Sequence, residues 1–338
     1  MQLSEPAPAL TARFAADLAA LWPEAERDGP LGLAVSGGPD SLALLLLAHA
    51  ALSGQITVAS VDHGLRPEAA GEVALVERIA GARGIPFTAL RVDLAPGNVQ
   101  ARAREARYAA LAGWARDMGL GAVATAHHAD DQAETLLMRL NRGSGLSGLA
   151  GVRARTTIVG SEVTLLRPLL GWRKAELAQV VAGCGITPAS DPSNANPDFD
   201  RVQMRARLAE ASDWLDPVQL AASAAHLTES WQALDWYAEC DWHEMVMRDD
   251  TAPGTPVYSY CANAPRVVGI ETLVRIIAAL GGHATRAEAA RVWDRLWQGN
   301  NASIGGVLAQ AGVERVEKVG VMMRVWRFRR EPLRNAAH

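Results

Sequence analysis

The chain has 338 residues, 49% of them hydrophobic and 21% charged, with a formal net charge of −4. That length exceeds one average domain, the composition is ordinary for a globular protein, and the acidic balance excludes a globally basic nucleic-acid binder. Cys184, Cys240 and Cys261 are far apart and form no Cys-x-x-Cys pair, which argues against a disulfide scaffold and against a zinc or iron–sulfur site.

Residues 8–27 read as an amphipathic helix. The first residues carry Glu5 and no basic residue before Arg13, which is not a signal-peptide layout, and the most apolar run, Leu42 to Leu52, is too short to span a bilayer. No membrane association and a cytoplasmic location are the expectation. Leu31 to Val35 has the look of a buried strand that stops abruptly in Ser36-Gly37-Gly38-Pro39, and Asp40-Ser41 then opens an apolar helix over 41–52. Strand, glycine turn and helix make an anion site, because backbone amides and the positive end of the helix dipole converge there. The loop lacks the Lys of a Walker A motif and the spacing of the dinucleotide fingerprint. Asp40 either caps the helix or, if it stands beside phosphates, needs Mg²⁺ between the anions.

Further strands are expected at 56–61, 86–92 and 121–125, with helices at 68–83, 98–118 and 130–140. The alternation implies an α/β fold, a doubly wound parallel sheet whose ligands bind at the carboxyl ends of strands. The chemistry-bearing residues sit at those ends: Ser36 to Ser41, Asp62 to Arg66, and His127 to Asp131. Asp131 and Glu134 are three apart, so both carboxylates project from one face of a helix's first turn. Acids there suit the helix dipole, and as a pair they also suit a cation, either Mg²⁺ or an amino group. His127 and His128 are adjacent on a strand end and point opposite ways, a poor arrangement for zinc. Hydrogen bonding to phosphate or to an activated intermediate suits His127 better.

Arginine clusters locally at 139–173, at Arg201, Arg205 and Arg207, and at Arg324 to Arg334, while Lys174 and Lys318 are the only lysines. Such patches grip phosphates or form solvated, salt-bridged surfaces. The character changes near 212–216, which divides the chain into domains at 1–212 and 213–338. The second reads as a smaller, mainly helical α+β domain with helices at 217–248, 270–281 and 285–298 and strands at 304–309, 313–319 and 321–328.

Ser36-Gly37-Gly38-Pro39-Asp40-Ser41 resembles the pyrophosphate loop of the N-type ATP pyrophosphatases, which cleave ATP to AMP and pyrophosphate and adenylate a carbonyl oxygen. Together with the His127-His128-Ala129-Asp130-Asp131-Gln132-Ala133-Glu134 segment, in this order and spacing, it resembles the tRNA(Ile)-lysidine synthetases. Asp62-His63-Gly64-Leu65-Arg66, Arg104-Glu105-Ala106-Arg107-Tyr108, Arg142 to Leu149, Arg167-Pro168-Leu169-Leu170 and Asp191-Pro192-Ser193-Asn194 match that family's landmarks, almost continuously from about 30 to 210. In the tail, Ser303-Ile304-Gly305-Gly306 is similar to the family's C-terminal part. One departure is Arg201-Val202-Gln203-Met204-Arg205, which keeps only the first and last Arg of the family's Arg-Asn-Arg-x-Arg.

The resemblance implies a PP-loop ATPase domain followed by a tRNA-binding domain. It implies ATP and Mg²⁺ as cofactors, and a tRNA(Ile) with a CAU anticodon and free L-lysine as partners. Cytidine O2 would attack the α-phosphate of ATP, and lysine's ε-amine would then displace AMP from C2. On this reading Ser36, Gly37, Gly38, Pro39, Asp40, Ser41, Asp62 and His63 bind the nucleotide, with Asp40 on the metal. The catalytic set is Asp40, His127, Asp131, Glu134 and Arg107. Asp131 and Glu134 recognise lysine's amino groups, and Arg107, Arg201 and Arg205 serve the phosphate and the intermediate. Monomer and homodimer both remain open. A thiolating relative would be expected to use a Cys pair or Cys set that these cysteines fit poorly. The GMP, NAD and asparagine synthetases share the loop but not the His127–Glu134 arrangement. A non-catalytic adenine-nucleotide sensor would explain the loop but not the carboxylates and arginines.

Overall fold

The computed structural model describes residues 4–62, 68–92, 99–189, 200–250, 256–316 and 320–331. His63 to Arg66, Asp191 to Asn194, Lys318 and Arg334 lie outside the described residues. The chain divides into two compact units, Met1–Thr228 and Glu229–His338.

The first unit runs α1 (Pro8–Leu21), β1 (Leu31–Ala34), α2 (Pro39–Leu52), β2 (Ile56–Asp62), α3 (Glu68–Ala82), β3 (Phe87–Arg91), α4 (Val99–Asp117), β4 (Ala122–Ala124) and α5 (Ala129–Asn141). It continues with α6 (Leu146–Leu149), β5 (Arg155–Thr157), β6 (Thr164–Leu166), α7 (Lys174–Gly183), α8 (Asp200–Glu210) and the start of α9 (Pro217–Met245). Helix α1 is shorter than the expected 8–27. Pro23 forces Trp22 out of helical geometry, to φ −141 and ψ 81, and a 3₁₀ turn follows at Glu24–Glu26. The division between the units falls within α9, C-terminal to the 212/213 boundary expected from composition.

The sheet order is β3-β2-β1-β4-β6-β5, parallel except for β5, which pairs antiparallel with β6. Side chains alternate with period two. Leu31, Leu33, Val35, Ile56, Val58, Ala122, Ala124 and Leu166 pack in one layer with residues of α1, α2, α3 and α7. Ala34, Ala59, Val123 and Leu165 pack in the other with Leu111, Ala112, Trp114 and Ala115 of α4. Helix α2 is apolar all round because it is enclosed, with Leu42 to Ala48 wholly buried. At Gly32 a Cβ would stand 2.8 Å from the Trp114 ring, so only glycine lets α4 sit this close to β1. The crossovers through α2 and α3 lie on one face and that through α4 on the other. The winding therefore reverses between β1 and β4, which opens a crevice at their carboxyl ends.

The second unit holds the rest of α9, then β7 (Val246–Asp249), β8 (Val257–Cys261), α10 (Arg266–Ala279), α11 (Arg286–Trp297), β9 (Ala302–Ile304), β10 (Val307–Gln310), β11 (Val313–Val316) and β12 (Val321–Arg330). Its sheet is antiparallel, in the order β7-β8-β12-β10-β9, with β11 on β12. The unit is α+β, as expected, but its sheet includes β7 and β8, which periodicity did not single out. Tyr258, Tyr260, Val307, Trp326 and Phe328 pack against Leu273, Ile276, Ile277, Val292, Trp293 and Leu296, so several of the frequent aromatics are core. No helix among the described residues is long and apolar enough to cross a membrane.

Candidate active site

The crevice begins where β1 ends. Val35 still donates its N–H to Ala59 O at 2.9 Å, and the chain then turns through Gly37 at φ +84. A Cβ at Gly37 would meet Glu72 O at 3.2 Å, so both the backbone angle and the space require glycine. Ser41 fixes the loop from below: the Ser36 N–H donates to its Oγ at 3.1 Å, its hydroxyl donates to Gly38 O at 3.0 Å, and the two serine Oγ atoms are 3.2 Å apart. Gly38 is the N-cap of α2 and Pro39 its first residue, with no side chain capping the helix. The donors of the first turn are thus left to an external acceptor, the arrangement an anion needs. Asp40 is not the cap. It lies inside the first turn, where its carboxylate reaches across to the end of β4.

There, Asp40 Oδ2 lies 3.5 Å from Nε2 of His128, a side chain only 3% exposed. Asp130 Oδ2 and Asp131 Oδ2 are each 3.6 Å from the same ring. His128 is also the N-cap of α5: its Nδ1 accepts the Asp131 N–H at 3.3 Å, and its own N–H donates to Asp131 Oδ2 at 3.2 Å. Burial pulls the His128 value down, but the hydrogen bond to Asp40 and the charges of Asp131, Asp40 and Asp130 outweigh it, and the net direction is up. His127 behaves in the opposite way. Its Nδ1 meets Thr125 Oγ1 at 3.1 Å, and burial, aided by Arg167, Arg104 and Arg201 and opposed by Asp131, lowers its value to about 3, so the ring is neutral. Burial resists ionisation of Asp131, yet His128, Arg201 and the backbone N–H of His128 bring its value below the ordinary carboxylate range.

Helix α8 closes the far side. Arg205 Nε donates to Glu134 Oε1 at 2.8 Å, and Arg201 Nε lies 3.2 Å from Glu134 Oε2. Glu134 is fully buried and both of its oxygens face guanidinium groups. Arg201 also reaches Asp131 Oδ1 at 3.8 Å and Thr135 Oγ1 at 3.3 Å. Asp130, by contrast, accepts the Lys174 N–H at 2.8 Å and so caps α7.

The structure therefore gathers Ser36 to Ser41, Asp40, His127, Asp131, Glu134, Arg201 and Arg205 at one edge. Asp62 ends β2, the strand beside β1, and is half-buried; His63 lies outside the described residues. Arg107 sits on α4, where burial lowers its value and the charges that act on it are those of its helix neighbours Tyr108 and Arg104. Arg104, one turn earlier, is the α4 arginine that acts on His127. His128 is the residue that sequence reasoning passed over. Its place beside the acids of α5 was visible, but its contact with Asp40 depends on the β1–β4 pairing.

Asp40 Oδ1 is buried and has no hydrogen-bond partner. No cluster of three or more His, Cys, Asp and Glu among the described residues could hold a metal ion by itself. One carboxylate with an unfilled oxygen suits a hard cation that completes its shell with phosphate oxygens and water, which is the habit of Mg²⁺.

Residues 10–212 match the PP-loop domain family. Over 95% of this chain and 93% of its own length, a tRNA(Ile)-lysidine synthase of Novosphingobium aromaticivorans is 47% identical. The tRNA(Ile)-lysidine synthase of Zymomonas mobilis is 39% identical over 91% of each chain. Among solved structures, the U34-tRNA thiolase NcsA from Methanococcus maripaludis superposes with a TM-score of 0.53 at 14% identity, covering 65% of this chain and 79% of that one, a likeness of fold alone.

Proposed function

The chain belongs to the tRNA(Ile)-lysidine synthases, ATP-dependent tRNA-modifying ligases with a PP-loop domain, and on that premise we propose a role for each part of the crevice. The substrates are ATP, free L-lysine and a tRNA(Ile) whose wobble cytidine stands in a CAU anticodon. The Ser36–Ser41 loop and the N-terminus of α2 hold the β- and γ-phosphates through backbone amides. Cytidine O2 attacks the α-phosphorus and pyrophosphate leaves into that loop. Mg²⁺, when bound at Asp40, supplies charge neutralisation on the phosphates. Neutral His127 hydrogen-bonds the nucleotide or the activated base without adding charge.

The second step needs lysine's ε-amine without its proton. Asp131 and Glu134 are the acids proposed to meet lysine. Of the two, Asp131 is the more open: both Glu134 oxygens are taken by Arg201 and Arg205, whereas Asp131 Oδ1 has only the 3.8 Å approach of Arg201. Asp131 is therefore assigned to lysine's ammonium and its proton, and Glu134 to holding Arg201 and Arg205 for the adenylate. The amine attacks C2, AMP departs, and lysidine remains.

The second unit is assigned to tRNA. Arg324, Arg327 and Arg329 are exposed on β12, and the Arg324 guanidinium lies 4.0 Å from the ring centroid of Trp297. A cytoplasmic site of action follows from the substrates. The single observation that supports the whole reading is the meeting of the phosphate loop and the α5 carboxylates at one crevice. A thiolation chemistry is not favoured by the cysteines, which are all free, Cys184 and Cys261 being buried and Cys240 half-buried. The test is AMP release measured with ATP and Mg²⁺ in four mixtures, with and without tRNA(Ile) and lysine. AMP release that needs tRNA and is completed by lysine supports the scheme. AMP release indifferent to lysine contradicts the assignment of the nucleophile.

A further inference from the structure

Arg167 follows β6 directly, beside the end of β4, since Thr125 donates its N–H to Leu166 O at 3.0 Å. Its side chain is placed among protein atoms, with the residue only 5% exposed. One guanidinium nitrogen donates to Arg153 O at 2.5 Å, and the group also reaches the Tyr108 phenol. Its Nε is buried without any partner, and no carboxylate among the described residues forms an ion pair with it. Tyr108 carries a second arginine, Arg104, 5.0 Å above its ring centroid. The charges of Arg104 and Arg167 both act on His127.

A buried guanidinium without a counter-ion is costly, and buried charges in native proteins are paired, so an anion that arrives with a ligand would complete the site. Arg167 lies at the carboxyl end of β6, beside β4, the strand that leads into His127, and so borders the crevice that opens between β1 and β4. The phosphate loop has its own donors for the departing pyrophosphate. Beyond Arg201 and Arg205, which Glu134 holds for the adenylate, Arg167 offers a further donor to the phosphoryl group that is transferred.

We infer that Arg167 is a binding residue for the α-phosphoryl group: its guanidinium contacts one non-bridging oxygen as the group passes from pyrophosphate to cytidine O2, and again as AMP departs. Tyr108 and the Arg153 carbonyl position the guanidinium, and Arg104 adds positive charge at the same place. No bond to Arg167 forms or breaks. This inference rests on the lysidine-synthase reading of the crevice.

The experiment compares wild type, R167M and R167K in tRNA-dependent pyrophosphate release from ATP and from the two diastereomers of ATPαS. Removing a transition-state donor of this kind is expected to slow release about 100-fold, with the ATP dissociation constant little changed. In wild type one diastereomer is the poorer substrate, and in R167M that preference is lost, because oxygen and guanidinium no longer interact. R167K, which keeps the charge but not the fork, recovers part of the rate with an altered preference. An unchanged diastereomer preference in R167M overturns the inference. Should R167M fail to fold, as judged by its melting curve and ATP binding, an unchanged preference in R167K overturns it equally. Failure of the underlying reading would look different: wild type would release pyrophosphate yet leave no lysine on the tRNA.

Discussion

The carboxylate of Asp40, from the first turn of α2, lies 3.5 Å from Nε2 of His128, at the start of α5, while its other oxygen is buried with no partner. Two segments from opposite sides of the reversal in winding thus share one charge. His128 meets Oδ2, and Oδ1 is the oxygen proposed to meet Mg²⁺. D40N keeps the shape but removes the charge. It is expected to lower kcat for AMP formation by about 100-fold or more and to abolish the Mg²⁺ dependence of ATP binding, as read by calorimetry with and without Mg²⁺.

The Glu134 cluster is asymmetric. Glu134 has a side chain 1% exposed, whereas Arg201 and Arg205 are 44% and 36% exposed. Removing the acid frees two arginines that can turn to water. Removing Arg205 strands part of a buried charge. R205A is therefore expected to cost roughly 3 kcal/mol and E134Q nearer to 1 kcal/mol, in urea unfolding of the whole chain. Equal losses would show that Glu134 relies on Arg201 alone.

Two adjacent histidines are expected to titrate against each other. The His127 value is lowered to about 3, so below the ordinary 6.5 the unfolded chain takes up a proton that the folded chain refuses. The stability it contributes is present above that pH and is lost as pH falls. The His128 value is raised, so its contribution is full below 6.5 and is lost as pH rises through its higher folded value. Thermal melts in metal-free buffer should show H127Q losing less stability than wild type on acidification, and H128Q losing less on the alkaline side. The same slope for all three proteins would contradict both shifts.

Gly37 has two reasons to be glycine, a φ of +84 and a Cβ position 3.2 Å from Glu72 O. G37A is expected to cost about 1–2 kcal/mol and to weaken ATP binding, since the loop cannot keep its curvature around the phosphates. Differential scanning fluorimetry with and without ATP separates the two effects.

Much of this was legible in the sequence. The strands at β1 to β4 and the helices between them follow from apolar runs interrupted by glycine and acid-rich starts, and the phosphate loop and the α5 carboxylates could be placed on them at once. The missed strands have physical explanations. β5 and β6 are as short as β4 but, unlike β4, have no helix between them to set them off, and β7 begins at the residue after α9 with no Gly or Pro to mark the change. Within the site, residue types were readable but partners were not. Asp131 and Glu134 were recognisable as a pair that suits a cation, yet the cations they meet in the structure are Arg201 and Arg205, brought in by α8 from a distant part of the chain. His128 and Arg167 depend still more on tertiary placement. Nothing local says that one ring will lie among three carboxylates, or that one arginine among many will be buried without an acid.

The most direct test of the central claim is incorporation of radiolabelled lysine into an unmodified tRNA(Ile) transcript with a CAU anticodon, in the presence of ATP and Mg²⁺. The expected result is label retained on the RNA, AMP formed in step with it, and no label on a tRNA(Met) control that shares the triplet. AMP formed without retained label would contradict lysine as the nucleophile, and no AMP from folded, ATP-binding protein would contradict catalysis at this crevice altogether.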